Sequence, residues 1–144
     1  MTISHYSRNR RATGAQQYAQ VGLESQVLAA RPEQLINLLF QGARTAIKKA
    51  RIHLQNGDVA LRGSMISKAV DIIDTGLKAA VNKDIGGDVS THLINSYELI
   101  VYHLLQANLN ADENHLETAD IMLTNLHDAW NEAVLLSCKA ATTG

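Results

Sequence analysis

Proline occurs once in this chain of 144 residues, as do cysteine, phenylalanine and tryptophan, and aromatic residues make up only 4%. Each scarcity excludes something. The single Cys138 can form neither an internal disulfide nor a zinc site, which suits a reducing cytosol. The longest apolar runs are a few residues, so no segment is expected to cross a membrane. The N-terminus carries arginines but no apolar core of a leader, so no secretory signal is expected either. Thirteen Lys and Arg face fourteen Asp and Glu, a net charge of −1, which argues against a strongly basic nucleic-acid binder. The lone Pro32 and the nine glycines fall mostly between apolar-periodic segments. Helix interiors exclude both residue types, so long helices with short connections follow.

What is present is a core. Hydrophobic residues make up 46% and charged residues 19%, the balance of one globular domain that hides roughly two-thirds of its unfolded surface. Residues 1–17 stand apart. They hold Arg8, Arg10 and Arg11 and no acidic residue, leaving ten basic against fourteen acidic residues for the remainder. The expected organisation is a flexible N-terminal segment (1–17), a bundle domain (18–137) and a flexible C-terminal tail (138–144).

Residues Leu23 to Ala30 read as a short helical piece that Pro32 separates from the first long helix. Proline suits a first helical position, where its missing N–H has no intrahelical partner in any case. From there Leu35, Leu39, Ala43, Ala46 and Ala50 share one face, and Gln34, Asn37, Gln41, Arg44, Lys48 and Arg51 the other. Asn56-Gly57-Asp58 form a turn, with Asp58 as N-cap. The second helix buries Ile66, Ala69, Val70, Ile73 and Leu77, and Gly86-Gly87-Asp88 end its pattern. The third carries Leu93, Tyr97, Ile100, Val101, Leu104 and Leu105. Asn110 and Glu113 have capping-box spacing ahead of a fourth helix with Leu116, Ala119, Leu123, Leu126 and Trp130. No stretch alternates with period two. Four helices of about 30 Å joined by short turns pack as an all-α antiparallel four-helix bundle, with a short extra N-terminal helix or cap segment.

A search for chemistry finds little. His92 and His103 share a helix face but lie about 16 Å apart, too far to hold one metal ion. Asp112 and His115 have ligand-pair spacing, but the first two helices supply no inward carboxylates to complete a di-metal bundle. No metal site and no cofactor are expected. Histidine phosphotransfer domains are also four-helix bundles, yet neither His92 nor His103 is followed closely by lysine. There is no phosphate-binding glycine loop, and Cys138 has no histidine beside it. The stripe Arg44, Lys48, Lys49, Arg51 reads as a solvated helix face. No catalytic constellation emerges. What stands out is spare apolar perimeter. The apolar arc covers roughly 200°, 180° and 160° on the first three helices, against about 100° for an ordinary surface helix. Leu99, Tyr102 and Leu109 fall outside even that arc. Either one helix is nearly central, or a groove accepts an amphipathic partner.

The residues also resemble a known family. Pro32-Glu33-Gln34-Leu35-Ile36 followed by Leu39-Phe40-Gln41-Gly42-Ala43 is similar to the opening helix of the flagellar export chaperones of the FliS family. The likeness continues through Asn56-Gly57-Asp58, Lys68-Ala69, Asp71-Ile72-Ile73, Leu77, Gly86-Gly87, Leu93, Tyr97, Leu105-Gln106-Ala107-Asn108, Leu123 and Trp130, covering residues 18–132. It implies a cytosolic, non-enzymatic chaperone that binds the disordered C-terminal segment of flagellin, prevents premature polymerisation and helps deliver it to the export gate. It also implies an N-terminal segment that covers the client groove when empty, with Tyr18 as its aromatic and Val21 beside it. The expected groove comprises Ile66, Val70, Ile73 and Leu77 on the second helix and Tyr97, Val101, Leu105 and Asn108 on the third. The apolar members have ordinary core as their alternative role. Expected partners are flagellin and the export gate, with no nucleic acid and no membrane insertion. A homodimer is possible without client. The alternatives are a helical adaptor for another export or regulatory protein, or a histidine phosphotransfer domain.

Overall fold

The computed structural model describes residues 31–81 and 86–143. The chain divides into two compact units, Met1–Leu35 and Ile36–Gly144. Of the first, the described part is Arg31–Leu35, where the Arg31 N–H donates to Gln34 Oε1 and the Leu35 N–H to the Arg31 carbonyl. The expected flexible segment 1–17, the helical piece at Leu23–Ala30 and the cap residues Tyr18 and Val21 lie outside the described residues.

Four helices follow in order: α1 (Pro32–Gln55), α2 (Val59–Asp71, continuing as a π-helical turn, Ile72–Leu77), α3 (Asp88–Asn110) and α4 (Glu113–Thr143). The described residues contain no strand. Cross-helix contacts within the second unit fix the direction of each neighbour. Asn37 and Arg44 meet His127 while Arg51 meets Glu113, so α1 and α4 run antiparallel. Gly42 lies against Ile72 and Gly76 against Leu39, which sets α2 antiparallel to α1. Arg62 bonds Asn108 and Lys78 pairs with Glu98, so α3 runs back along α2. The expected antiparallel four-helix bundle is the architecture.

Local chemistry explains the joints. Gly57 takes φ 73°, a left-handed conformation that costs glycine nothing, and the Asp58 carboxylate accepts from the Leu61 N–H at 3.1 Å to cap α2. The α3–α4 joint differs from expectation. Ala111 adopts the left-handed conformation (φ 51°) and its N–H returns to the Ala107 carbonyl. The N-cap therefore moves on to Asp112, whose Oδ1 accepts from the Asn114 N–H at 2.9 Å. Asn110 bonds Gln106 instead, and Glu113 accepts from Gln55 and Arg51, so the capping box is not formed. Those two bonds hold the Glu113 carboxyl below its ordinary range, Gln55 contributing most.

The core is contiguous. Phe40, Ile47, Ile66, Ile73, Leu77, Ile100, Leu104, Leu116 and Leu123 are all buried, with alanines 43, 46, 50, 69, 107 and 119 between them. Small residues let α1 and α2 approach closely. A methyl group on Gly76 would lie 3.0 Å from Leu39 Cδ2, inside van der Waals contact. The π turn beside it is closed by Lys78 N–H to the Ile73 carbonyl at 2.8 Å, while Thr75 Oγ1 donates to the Asp71 carbonyl. At the other end, α4 runs on past residue 137, where the bundle domain was expected to end. Residues 138–143, expected as part of a flexible tail, are helical, and Leu135 and Leu136 on the preceding turn are exposed.

Candidate functional site

The eight residues expected to form a groove separate into two groups. Ile66, Ile73, Leu77 and Tyr97 are at most 3% exposed and belong to the core, a correction to the groove expectation for this conformation. The reason is helical phase: with about 100° per residue, 66, 73 and 77 point the same way as Ala69, the innermost position of α2. Tyr97 shares its inward direction with Ile100 and Leu104, and burial raises its phenol to about 12. Val70, Val101 and Asn108 are half-buried, and Leu105 is 53% exposed. Of these four, Asn108 bonds across the α2–α3 seam to Arg62, and Val70 and Val101 pack against the core from its edge.

The open apolar surface extends beyond them. Tyr102, Leu105 and Leu109 repeat at i, i+3 and i+7 on the outward side of α3 and are 52%, 53% and 78% exposed. Leu99 adds to them one turn earlier, and Val59 and Leu61 are exposed at the start of α2. A row of this kind gains nothing from solvent and is fit to receive an apolar helix. The seam closes differently at its two ends. Near the α2 C-terminus, Lys78 pairs with Glu98 at 3.1 Å, beside a cavity of ≈ 340 Å³ lined by Asp74, Lys78, Ala79, Val81 and Ile94. Near the α2 N-terminus, Arg62 donates from Nε to Asn108 Oδ1 at 3.2 Å and from Nη2 to the Asn108 carbonyl at 3.1 Å. The Asn108 amide oxygen is therefore engaged inside the protein. Arg62 itself escaped the sequence reading. Its signal was an arginine at i−4 from Ile66, a position on the inward frame.

A second polar arrangement crosses α1 and α4. Arg44 Nη1 donates to His127 Nδ1 at 2.9 Å, so His127 carries its proton on Nε2, which donates to Asn37 Oδ1 at 2.6 Å. The ring stacks on Phe40, centroids 4.9 Å apart and planes 9° from parallel. Burial, and then the Arg44 charge, lower its pKa. Arg44 Nε and Asp120 Oδ1 are sealed from solvent without a hydrogen-bond partner. Part of the polar face of α1 is thus an interface with α4. His103 Nδ1 lies 2.9 Å from His115 Nδ1, which requires one ring to donate and the other to accept. His92 is exposed and Cys138 is exposed. Among the described residues no group of three or more His, Cys, Asp or Glu is placed to hold a metal ion, and no helix is long and apolar enough to cross a membrane.

A four-helix bundle that leaves an apolar row open on one helix, and whose buried polar groups join helices, has the form of a binding protein for another polypeptide. Comparison with known proteins names the kind. The family model described as "Flagellar protein FliS" matches residues 14–136. The flagellar secretion chaperone FliS of Salmonella typhimurium (strain LT2) is 44% identical over 121 residues, spanning 84% of this chain and 90% of that protein. Its counterpart in Escherichia coli (strain K12) is 36% identical over 124 residues, or 86% and 91% of the two chains. That of Bacillus subtilis (strain 168) is 27% identical over 111 residues, or 77% and 81%. The chain belongs to the FliS family of flagellar secretion chaperones.

Proposed function

We propose that this chaperone binds the C-terminal segment of flagellin on its α2–α3 face in the cytosol, keeps it from polymerising and passes it to the flagellar export gate. The observation that carries this reading is the exposed row Tyr102, Leu105 and Leu109, on a bundle of a flagellar chaperone family. A disordered amphipathic segment exposes apolar side chains in water. Laid on this row as a helix it buries them, and the gain must exceed an ordering cost of roughly 2–5 kcal/mol. No nucleotide drives release, and the protein acts without catalysis. Handover then follows mass action, as the export gate competes for the client and the N-terminal segment, Tyr18 and Val21 included, reoccupies the face. Without client the same apolar row favours a homodimer. The test is a titration of the purified chain with a synthetic C-terminal flagellin peptide, read by calorimetry and circular dichroism. Binding with a gain in peptide helicity is expected. No complex at tens of micromolar would refute the proposal.

A further inference from the structure

Arg62 joins α2 to α3 through Asn108, but its charge is a feature of this face that neither that joint nor apolar recognition requires. It is only 8% exposed, and no carboxylate among the described residues pairs with it. The nearest acidic residue in sequence, Asp58, caps α2 through the Leu61 N–H. Burying a guanidinium without a counter-charge is costly, and one peptide carbonyl plus one amide oxygen compensate it only in part. The way Asn108 is used decides what is left over. It takes Nε and one Nη2 hydrogen, the side edge of the guanidinium. The end edge, Nη1 and the second Nη2 hydrogen, remains, and it presents two parallel N–H groups of the kind a carboxylate accepts in a fork. Nη1, which makes no hydrogen bond within the protein, is not among the side-chain atoms sealed from solvent without a partner. The Arg62 bond also orients the Asn108 amide, because Oδ1 faces Nε and Nδ2 is left as a further donor. Within three residues of this pair in sequence are four exposed apolar side chains, Val59 and Leu61 on α2 and Leu105 and Leu109 on α3.

Resting on the client-binding reading above, we propose that Arg62 is a carboxylate receptor that fixes the register of the bound segment. A carboxylate on the client, from an acidic side chain or from the chain terminus, docks on the free edge of Arg62 while flanking apolar residues cover Leu105 and Leu109. An apolar row alone allows a helix to slide by one turn. A single charged anchor at its end permits one position, since every other register leaves both charges unpaired.

The test compares three versions of the synthetic flagellin C-terminal peptide on the full chain: the native peptide, one with Asp and Glu replaced by Asn and Gln, and one with the terminal carboxyl amidated. The expected result is a loss of roughly tenfold or more in affinity for one of the two neutralised peptides, which also identifies the source of the carboxylate. R62Q should bind that neutralised peptide as the native chain does and should no longer prefer its charged parent. R62K, which keeps the charge but not the fork, should restore part of the preference. In the unmutated chain, the Nε–H resonance of Arg62 should move with the preferred peptide and not with its neutral form, a readout independent of whether R62Q folds. Equal affinity for all three peptides, or a preference that survives in R62Q, overturns the proposal while the chaperone reading stands. Failure of every peptide to bind removes the chaperone reading and this one with it.

Discussion

Leu104 and Leu105 are neighbours in sequence with opposite surroundings, and the proposed division of α3 into a core side and a client side can be tested on them. Leu104 is fully buried, whereas Leu105 and Leu109 are 53% and 78% exposed. Leu104→Ala removes core packing and leaves a cavity, at a cost of about 2–5 kcal/mol in folding stability. For a chain of this size that lowers Tm by roughly 6–15 °C. Leu105→Ala with Leu109→Ala removes side chains that the folded protein buries only in part, so Tm should move by about 2–4 °C, less than for Leu104→Ala. Their value appears when client covers them. Full burial of a leucine is worth about 1.5–3 kcal/mol. Scaling by the exposed fractions and allowing for the retained Cβ gives roughly 1–3 kcal/mol for the pair, a rise in Kd of about 5- to 150-fold. Thermal denaturation by circular dichroism and calorimetric titration with the flagellin peptide supply both numbers. If the double variant melts as low as Leu104→Ala, the outer face is packed and the site is misplaced. If it keeps full stability and full affinity, the client binds elsewhere.

Other expectations follow from single residues. His127 resists protonation in the folded state because it is buried and faces Arg44, with Asp128 only partly opposing them. Its folded pKa therefore lies below the unfolded value of 6.5. The contribution is fully present above the unfolded pKa and is lost as pH falls from there through the lower folded pKa. Urea unfolding at about pH 7.5 and about pH 5.5 should show a decline that is reduced in His127→Gln. An undiminished decline would place its source elsewhere. Ala111→Gly relieves a left-handed alanine and should raise the urea midpoint by the equivalent of about 0.5–1 kcal/mol, the strain relieved less the added freedom of the unfolded chain. A fall in the midpoint would show that the αL position is not strained.

How the chain disclosed itself differs between its apolar and polar residues. Proline at the start of α1, Asp58 at its cap and the period of Ile66, Ala69, Ile73 and Leu77 mark helices and their inward faces, because burial repeats with the helix. The same period could not separate core from groove for Ile66, Ile73, Leu77 and Tyr97, since both environments select apolar side chains. Polar residues are harder still. Asn37, Arg44 and Arg51 look like solvent-facing positions of α1, and only the position of α4 reveals that they meet His127 and Glu113. The misassigned cap at Asn110 has a similar origin. Its spacing to Glu113 is right, but Ala111 turns left-handed and passes the role to Asp112.

The π turn at Ile72–Leu77 gives α2 an unusual tolerance. Its hydrogen-bonded ring, closed between Ile73 and Lys78, holds one residue more than an α-helical ring. Deleting a residue elsewhere in α2 would rotate everything after it by about 100° and carry the inward side chains out of the core. Deleting one here would draw the wide ring down to an ordinary one while both flanks keep their heading. Length variation in this helix can therefore be absorbed at a single point, opposite the leucine of α1 that crosses it.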